Sequence, residues 1–399
     1  VSSPTITVAG TGSGNANQGA VGQVTATRNG NVFFQQSGVF TTLINFLGSG
    51  AASVTLTPGA NVLNVSGSVS GCSASDSIVI YYDPTPVITE KNLGQLACGG
   101  VSGGNPINIG TGNKYQLESD YQGAGDFPLV FERTYNSNKS TFSERFGASS
   151  GWRHSYERSV IGAANSNNVV AYRADGKAYR FSKIGNSWQS VADVNLQLSA
   201  TANGWLLTTE DKSVESYNAN GQLQAIKSRT GIIQTLTYTN GLLTSVTHSN
   251  GRSLILNYDS SSRLAELQDP ANGLYKYAYN TATGNLVSVT YPDQATRSYL
   301  YNEAANVAAN LPHALTGIID ENNQRFATFK YDAQNRAIAT QHAGGAESVT
   351  VAYGTDSNVV TDALNTSRTQ FLQTVQGVIK GAGSNQPGGS GCGASSSNV

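Results

Sequence analysis

The amino-acid sequence predicts an all-β protein, in which a small N-terminal β-sandwich is followed by a repetitive antiparallel β-ribbon. Short runs of β-forming residues alternate with Gly-, Asn- and Asp-containing turns along the whole chain. The composition agrees, since the 399 residues include 44 Gly and 19 Tyr. The third observation is a Tyr-turn-Leu pattern that recurs at a regular interval in the second half.

Composition and charge exclude several classes of partner. The formal net charge is -1, so the chain has no excess of positive charge that would attract a nucleic acid. Charged residues are only 12% of the chain, about half the usual share. No apolar run reaches the ~18 residues that a membrane-spanning helix needs.

The sequence contains no Met, so we expect a processed chain, compatible with a removed signal peptide, or a fragment of a longer protein.

Residues 1–85 are predicted to form the β-sandwich. Strands such as "TITVAG", "GQVTAT" and "DSIVIYY" are separated by Gly-, Ser- and Asn-rich intervals. Their order resembles bacterial immunoglobulin-like modules, most clearly over residues 54–83. Such modules usually act as spacers, adhesion units or docking units. Residues 86–113 are predicted to be a linker and a Gly/Asn-rich loop, since Pro86 cannot donate a backbone hydrogen bond.

The three cysteines are Cys72, Cys98 and Cys392. They form no Cys-x-x-Cys motif and have no His nearby, which argues against a metal site. Cys72 and Cys98 are candidates for one disulfide, which would leave Cys392 alone. The alternative is that all the thiols are unpaired.

The central region, residues 114–215, alternates strands with tight turns. "KYQLESDYQ" and "FPLVFERTYNS" come first, followed by "GWRHSYERSV" and "NVVAYRADGKAYRF". The Asp-Gly, Gly-Asn and Asn-Gly pairs suit hairpin turns with positive φ.

The repeats occupy residues 216–375, and a Gly/Ser-rich tail covers residues 376–399. "YNANGQL", "YTNGLL", "YDSSSRL" and "YNTATGNL" share a Tyr, a polar turn and a Leu, and "YDAQNRA" has the same form. From the first of them, successive Tyr positions up to Tyr301 are 20 to 22 residues apart. A unit of two strands cannot bury its own apolar face, so the units must stack. The repeat-defining tyrosines are Tyr217, Tyr238, Tyr258, Tyr279, Tyr301 and Tyr331.

The Tyr-Asp/Asn-x-x-Gly-x-Leu recurrence resembles the YD-repeat, or RHS-repeat, proteins. The preceding stretch "GNPINIGTGNKYQLESDYQGAGDFPLVFERTYNS", with "GWRHSYER" and "YRADGKAYRF", is similar to the family's entry domain. The resemblance covers residues 100–360 and identifies residues 114–215 as that entry domain. It implies a β-ribbon that winds as a spiral into a hollow shell. Bacterial polymorphic toxins hold a toxic domain in such a shell, insecticidal toxin complexes use a related cocoon, and animal teneurins use one for adhesion.

The chain departs from the family pattern in three respects. It has only about six repeats, too few to close a large shell. It lacks the C-terminal core motif with a self-cleaving aspartyl site, and no effector domain follows the repeats. We therefore expect either an N-terminal portion of a longer repeat protein or a protein that uses the ribbon to assemble a fibre.

The titratable residues give little indication of catalysis. The four His residues are in no metal-binding arrangement. His154, beside Trp152 and Glu157, has two interpretations. It is a general base next to a carboxylate, or a structural His packed against Trp152. The second is favoured because no nucleophile or further catalytic partner is identifiable nearby.

Other candidate sites also have structural alternatives. Glu210-Asp211 and Asp320-Glu321 are predicted to be solvated turn acids rather than a glycosidase pair. The acidic turns match no calcium loop, and the Gly-rich residues 10–19 lack the Lys of a phosphate loop. The repeat tyrosines could bind glycans, but packing against the next repeat is favoured. Six arginines are predicted to bridge neighbouring strands: Arg229, Arg252, Arg263, Arg297, Arg325 and Arg336.

The sequence therefore predicts a non-catalytic, secreted or surface bacterial scaffold without cofactors, which forms part of the wall of a shell around a toxin or effector. Its partners would be further YD repeats and the enclosed toxin domain. The first alternative is a fibre subunit that joins copies of itself through strand edges. The second is an adhesin or glycan-binding module. A hydrolase ranks last.

Overall fold

The computed structural model describes residues 5–8, 11–12, 21–39, 44–45, 52–55, 59–69, 72–82, 89–95, 101–138, 145–147, 150–162, 166–385 and 396–397. The chain divides into two compact units, Val1–Val87 and Ile88–Val399. Within these ranges the secondary structure is β, apart from two short 3-10 helices, Thr89–Asn92 and Ala343–Gly345. The prediction of an all-β protein is confirmed. No helix in the described ranges is long and apolar enough to span a membrane.

The N-terminal unit contains a four-stranded antiparallel sheet in the order β4-β3-β7-β8 and two two-stranded pairs, β1-β6 and β2-β5. Ala26 on β3 and Leu63 on β7 are buried. The immunoglobulin-like assignment of residues 1–85 stays a prediction. The strands are β1 Thr5–Val8, β2 Thr11–Gly12, β3 Val21–Arg28, β4 Asn31–Val39, β5 Ile44–Asn45, β6 Ala52–Thr55, β7 Gly59–Val69 and β8 Cys72–Tyr82.

The predicted disulfide also stays a prediction. Cys72 begins β8, whereas Cys98 and Cys392 lie outside the described residues.

The second unit begins with three small antiparallel sheets: β9 with β10, β11-β12-β13, and β14-β15-β16-β17. The Gly/Asn-rich segment before β11 is not a solvated loop, because Ile107 and Ile109 are almost completely buried. The strands are β9 Ser102–Gly103, β10 Ile107–Asn108, β11 Tyr115–Gln122, β12 Val130–Asn136, β13 Trp152–His154, β14 Ser159–Ile161, β15 Asn168–Tyr172, β16 Ala178–Ile184 and β17 Ser187–Gln189.

A single 19-stranded antiparallel sheet, called the repeat sheet here, runs from β18 to β36 in chain order. The prediction of a long antiparallel ribbon is confirmed. Its strands are β18 Gln197–Thr201, β19 Gly204–Thr208, β20 Val214–Asn218, β21 Leu223–Lys227, β22 Ile233–Thr239, β23 Leu242–His248, β24 Ser253–Tyr258, β25 Leu264–Gln268, β26 Leu274–Tyr279, β27 Leu286–Thr290, β28 Thr296–Tyr301, β29 Leu315–Ile319, β30 Arg325–Tyr331, β31 Ala337–His342, β32 Val349–Tyr353, β33 Ser357–Thr361, β34 Ser367–Val375, β35 Val378–Asn385 and β36 Ser396–Ser397.

Each predicted repeat tyrosine marks a β-bulge. In the pair β22-β23, Thr237 lies opposite Ser245 but Tyr238 lies opposite Leu243, so Thr244 is an extra residue on the returning strand. The same register shift occurs at the other five repeat tyrosines. A bulge bends its strand and increases the local right-handed twist. Bulges repeated in successive hairpins therefore curve the sheet.

One face of the repeat sheet is buried and the other is open in the described part of the chain. On β24, Leu254 and Leu256 are buried whereas Ile255 is exposed. The same alternation of buried and exposed residues appears on β22 and β26. The buried side chains join those of β10 to β16 in one continuous hydrophobic core. Side chains alternate between the two faces along each strand, so the apolar face of the sheet needs another part of the protein to cover it.

Candidate functional site: the interface between the entry segment and the repeats

Residues 101–157, called the entry segment here, lie across the buried face of the repeat sheet. Near one end, Gln234 on β22 donates a hydrogen bond to the Pro128 carbonyl at 2.9 Å. Near the other, Asn358 on β33 donates to the Ile109 carbonyl at 2.6 Å. The contacts extend over twelve strands, from β22 to β33. The apolar face of the repeats is therefore covered by an earlier part of the same chain.

A stripe of polar side chains forms the centre of this interface. Residues two apart on a strand share a face. Lys114, which immediately precedes β11, therefore points to the same side as Gln116, Glu118 and Asp120 on β11. Each of the four is at most 8% exposed. The sequence "KYQLESD" shows this alternation, but the composition of the stripe does not reveal that it would be buried. This polar stripe is the feature that sequence reasoning missed.

Asp120 holds the strongest ionic contact in the interface. Its carboxylate accepts hydrogen bonds from Arg133 Nε at 2.6 Å and from the Tyr277 hydroxyl at 2.8 Å. Arg133 also donates to the Tyr299 hydroxyl at 2.8 Å. Burial works against the guanidinium charge, but the facing Asp120 raises the Arg133 pKa well above its ordinary value. The guanidinium therefore stays charged, and the contacts of Asp120 and Arg133 join β11 and β12 to β26 and β28.

Glu118 makes a second ionic link to the repeats. Its Oε2 lies 2.8 Å from Arg297 Nε on β28. Burial raises the pKa of Glu118, while Arg297 opposes this shift.

Lys114 is completely buried. Its Nζ donates to the Tyr115 carbonyl and to Gln116 Oε1, the latter at 2.9 Å. It also lies 4.3 Å from the centre of the Phe329 ring on β30. Burial lowers the Lys114 pKa well below its ordinary value.

Aromatic rings fill the core around the polar stripe. His154 stacks on Phe131, with 5.0 Å between ring centroids, and meets the edge of Phe146 at 5.9 Å. Burial lowers the His154 pKa to about 3, so the imidazole is neutral at ordinary pH. Trp152, on the same strand, donates from Nε1 to the Tyr301 hydroxyl at 2.8 Å. This environment supports the structural interpretation of His154.

The repeat tyrosines form a ladder. Tyr279 donates from its hydroxyl to the Leu264 carbonyl at 2.6 Å, and Leu264 belongs to the preceding repeat. Tyr353, 22 residues after Tyr331, continues the ladder although its turn "YGTDSN" lacks the repeat's Leu. Since these hydroxyls are used within the sheet, the geometry favours packing over glycan binding for them. The same bond to a preceding repeat is made by Tyr258, Tyr301, Tyr331 and Tyr353.

Two of the six tyrosines depart from this pattern. The Tyr217 hydroxyl donates to Glu215, which also pairs with Arg158 and Arg173. Tyr238 contributes a partly buried ring that packs against the core.

The aspartate of the YD motif shapes its turn. Asp259 Oδ1 accepts from the backbone N–H groups of Ser261 and Arg263, both at 2.9 Å. Its Oδ2 accepts from Arg263 Nε at 2.8 Å, and the guanidinium lies 4.4 Å from the centre of the Tyr279 ring in the next repeat. An Asx turn of this kind fixes the hairpin locally, and the arginine then connects it to its neighbour.

The other predicted arginines divide into three groups. Arg336 repeats the arrangement of Arg263, with Asp332 as its ion pair and Tyr353 as its ring. Arg297 and Arg325 form ion pairs that bridge other segments. Arg229 and Arg252 are exposed.

The candidate catalytic acids are not brought together in a cleft. Glu210, Asp211 and Glu321 are exposed in turns. Asp320 uses Oδ1 to accept from the backbone N–H groups of Asn322 and Gln324. In the described part of the chain no cluster of His, Cys, Asp and Glu could hold a metal ion.

The two ends of the repeat sheet meet at a contact that we call the clasp. Lys91 Nζ binds Asp193 Oδ1 at 2.9 Å, just before β18, and the Gln376 carbonyl at 2.8 Å, between β34 and β35. Asn92 adds bonds to the Gly377 carbonyl and the Ile379 N–H. At about 4.8 Å per strand, β18 and β35 would lie roughly 80 Å apart in a flat sheet. The repeat sheet therefore curls around the entry segment until its ends approach each other.

The comparisons with known families agree with this architecture. The family described as Teneurin YD-shell matches residues 151–375, more than half of the chain. The chain belongs to the YD-shell family. A second family, described as a domain of unknown function (DUF6531), matches residues 104–181, which include most of the entry segment. The predicted resemblance to YD-repeat proteins is confirmed.

Solved structures similar to this YD-shell chain include a Photorhabdus luminescens Tc holotoxin pore, with 11% identity and a TM-score of 0.29. That alignment covers 69% of this chain and 15% of the other. A TcdB2-TccC3-Cdc42 crystal structure has 11% identity and a TM-score of 0.30, with 83% and 20% of the two chains covered. This chain thus spans only a small part of their length. No curated protein matches it.

Proposed function

We propose that this YD-shell chain is a non-catalytic bacterial scaffold, secreted or held at the cell surface, that forms one filled end of a shell around a toxin or effector. The observation that carries the proposal is the curled repeat sheet wrapped around the entry segment. The entry segment covers the buried face of the sheet from β22 to β33. The cargo would therefore lie beyond β35, inside a wall made by further repeats.

The open edge of β35 supports this continuation. Within the described residues, β35 pairs with β36 only at Ser384 and Asn385. Among the residues that the structure describes, no strand lies beside the rest of that edge, and Ile379 there contacts Asn92 of the clasp. A row of unpaired backbone groups is a template for another strand. The next repeat of a longer chain would satisfy these groups and extend the same spiral.

Electron cryomicroscopy of the full-length protein tests this proposal. We expect a hollow shell that is solid at the end formed by residues 101–385, with additional density in the cavity. A solid rod, or a shell whose cavity also contains the entry segment, would contradict it. A matched sample without the sequence after the repeats should retain the wall and lose the enclosed density.

The same open edge would also serve a fibre subunit that pairs with its own copies. Size-exclusion chromatography of residues 88–399 distinguishes the two. A concentration-independent monomer supports the shell, whereas growing filaments seen by negative stain support the fibre.

A further inference from the structure

Lys114 is a buried amine that the scaffold function does not require. It is completely buried, whereas Lys side chains are almost never fully buried unless paired. Its nearest side-chain partner is not a carboxylate but the amide of Gln116, whose Oε1 is 2.9 Å from Nζ. On the other side of that amide, Nε2 donates to Glu118 Oε1 at 2.8 Å. The three side chains thus form the line amine–amide–carboxylate on one face of β11.

We propose that Lys114 and Gln116 form an intramolecular isopeptide bond, with Glu118 as the group that transfers the proton. The Lys114 Nζ lone pair attacks Cδ of Gln116, and a C–N bond forms. In the resulting tetrahedral adduct Nζ and Nε2 are bonded to the same carbon, and Glu118, whose Oε1 lies 2.8 Å from Nε2, relays the proton from Nζ to Nε2. The Cδ–Nε2 bond then breaks, and Nε2 leaves as ammonia. The reaction neither gains nor loses electrons, and it needs no co-reactant.

Three features of the site favour this reaction. The stripe holds the Lys114 amine 2.9 Å from the amide oxygen of Gln116, which replaces a bimolecular encounter by an intramolecular one. Burial lowers the pKa of Lys114, so the neutral amine that can attack is more populated than at an exposed Lys. Burial likewise raises the pKa of Glu118, which makes its carboxylate a better proton acceptor.

The product also removes an energetic cost. A buried ammonium is expensive unless it is paired with a carboxylate. An amide between the two side chains has no charge and keeps a carbonyl oxygen as an acceptor. The Phe329 ring, 4.3 Å from Nζ, closes the site on the repeat side. The bond is therefore expected to form after the entry segment has packed against β30.

Mass spectrometry of the intact, denatured protein tests the proposal without any substitution. We expect a mass lower than the sequence mass by one ammonia. In a tryptic digest, Lys114 should remain uncut, so that one peptide covers residues 92–133 and carries the same loss. Separate peptides 92–114 and 115–133 at their sequence masses would overturn the proposal. A loss of ammonia located at an Asn-Gly pair would do the same.

Substitutions test the role of each of the three residues in forming the bond. Lys114→Met and Gln116→Leu should show no loss, whereas Lys276→Arg, at an exposed lysine of β26, should keep it. Glu118→Gln should slow the loss by about 10²-fold or more, the usual contribution of a general acid–base group. Circular dichroism confirms that each variant is folded before its mass is interpreted. A wild-type rate in folded Glu118→Gln would overturn the role of Glu118.

Discussion

The repeat tyrosine contributes a packed ring and one donated hydrogen bond to a neighbouring repeat. The hydroxyl donates to the carbonyl of the residue opposite the preceding repeat tyrosine, at the bulge of that repeat, as Tyr279 does to Leu264 opposite Tyr258. A tyrosine is therefore needed at this position rather than a phenylalanine, because its hydroxyl donates a hydrogen bond to a backbone carbonyl of the preceding repeat.

Substitution of Tyr279 tests that bond. Tyr279→Phe keeps the ring but leaves the Leu264 carbonyl, 2.6 Å from the hydroxyl, without its donor. We expect the free energy of unfolding to fall by about 1–2 kcal/mol, measured by urea denaturation. Tyr121→Phe, at a partly buried ring on β11, is the matched control and should change it much less. Equal effects of the two substitutions would contradict the ladder.

The buried His154 predicts a pH dependence of stability. Its pKa is about 3 in the folded protein against an ordinary 6.5. Between these two pH values the unfolded chain therefore binds one proton more than the folded protein does. His154 therefore contributes stability above pH 6.5 that is lost as the pH falls towards 3. The slope contributed by this one residue approaches ~1.4 kcal/mol per pH unit.

His154→Phe removes that titration while keeping a ring to stack on Phe131. Denaturation of both proteins at several values between pH 6.5 and 4 should show a shallower loss of stability in the variant. Parallel curves for wild type and His154→Phe would show that the imidazole is not buried as described.

At the scale of secondary-structure elements, equivalent turns have different surroundings. Asn220-Gly221 and Asn240-Gly241 are the same dipeptide in successive repeats, and both glycines have positive φ, 73° and 79°. A Cβ at Gly221 would lie 1.7 Å from the Val160 carbonyl oxygen of β14, whereas one at Gly241 would meet nothing within 4 Å. The turn at Gly221 thus packs against β14, whereas the turn at Gly241 has no such neighbour.

This difference predicts unequal effects of one substitution. Gly241→Ala should cost only the left-handed backbone penalty, about 1–2 kcal/mol. Gly221→Ala should cost that amount and also displace β14, so we expect a clearly larger loss in the free energy of unfolding. Thermal or urea denaturation measures both. Similar losses in the two variants would contradict the close approach of β14.

At the scale of the whole unit, the clasp determines whether the curled sheet stays closed. Lys91 is the only cation in contact with both Asp193 and the Gln376 carbonyl in the described ranges. Its side chain is 8% exposed, so the contact is shielded from solvent more than a surface ion pair is.

Lys91→Met should open the clasp without unfolding the core. We expect faster hydrogen exchange in β34, β35 and residues 191–194, while β24 to β27 keep their protection. Lys227→Met, at an exposed position on β21, is the control and should leave exchange unchanged. Unaltered protection of β35 in Lys91→Met would show that the Lys91 contacts do not hold the last hairpin in place.

The sequence by itself determined the all-β class, the turn positions, the repeat interval and the family. These properties depend on local chemistry: alternation along a strand, positive-φ residues at turns, and an aspartate that caps its own hairpin. The motif at Tyr258-Asp259 contains its turn, its arginine and the extra residue of its bulge within eight residues. Such features can be predicted because all the interacting groups are close in the chain.

Only the tertiary structure decided what covers the repeats. The Gly/Asn-rich segment before β11 has the composition of a loop, but packing buries it. The stripe from Lys114 to Asp120 has the composition of a solvated strand face, but residues more than 150 positions away, Tyr277 and Arg297, satisfy it. The clasp similarly joins Lys91 to Gln376. Contacts across such separations depend on how bulges accumulate into curvature, and no local pattern specifies that sum.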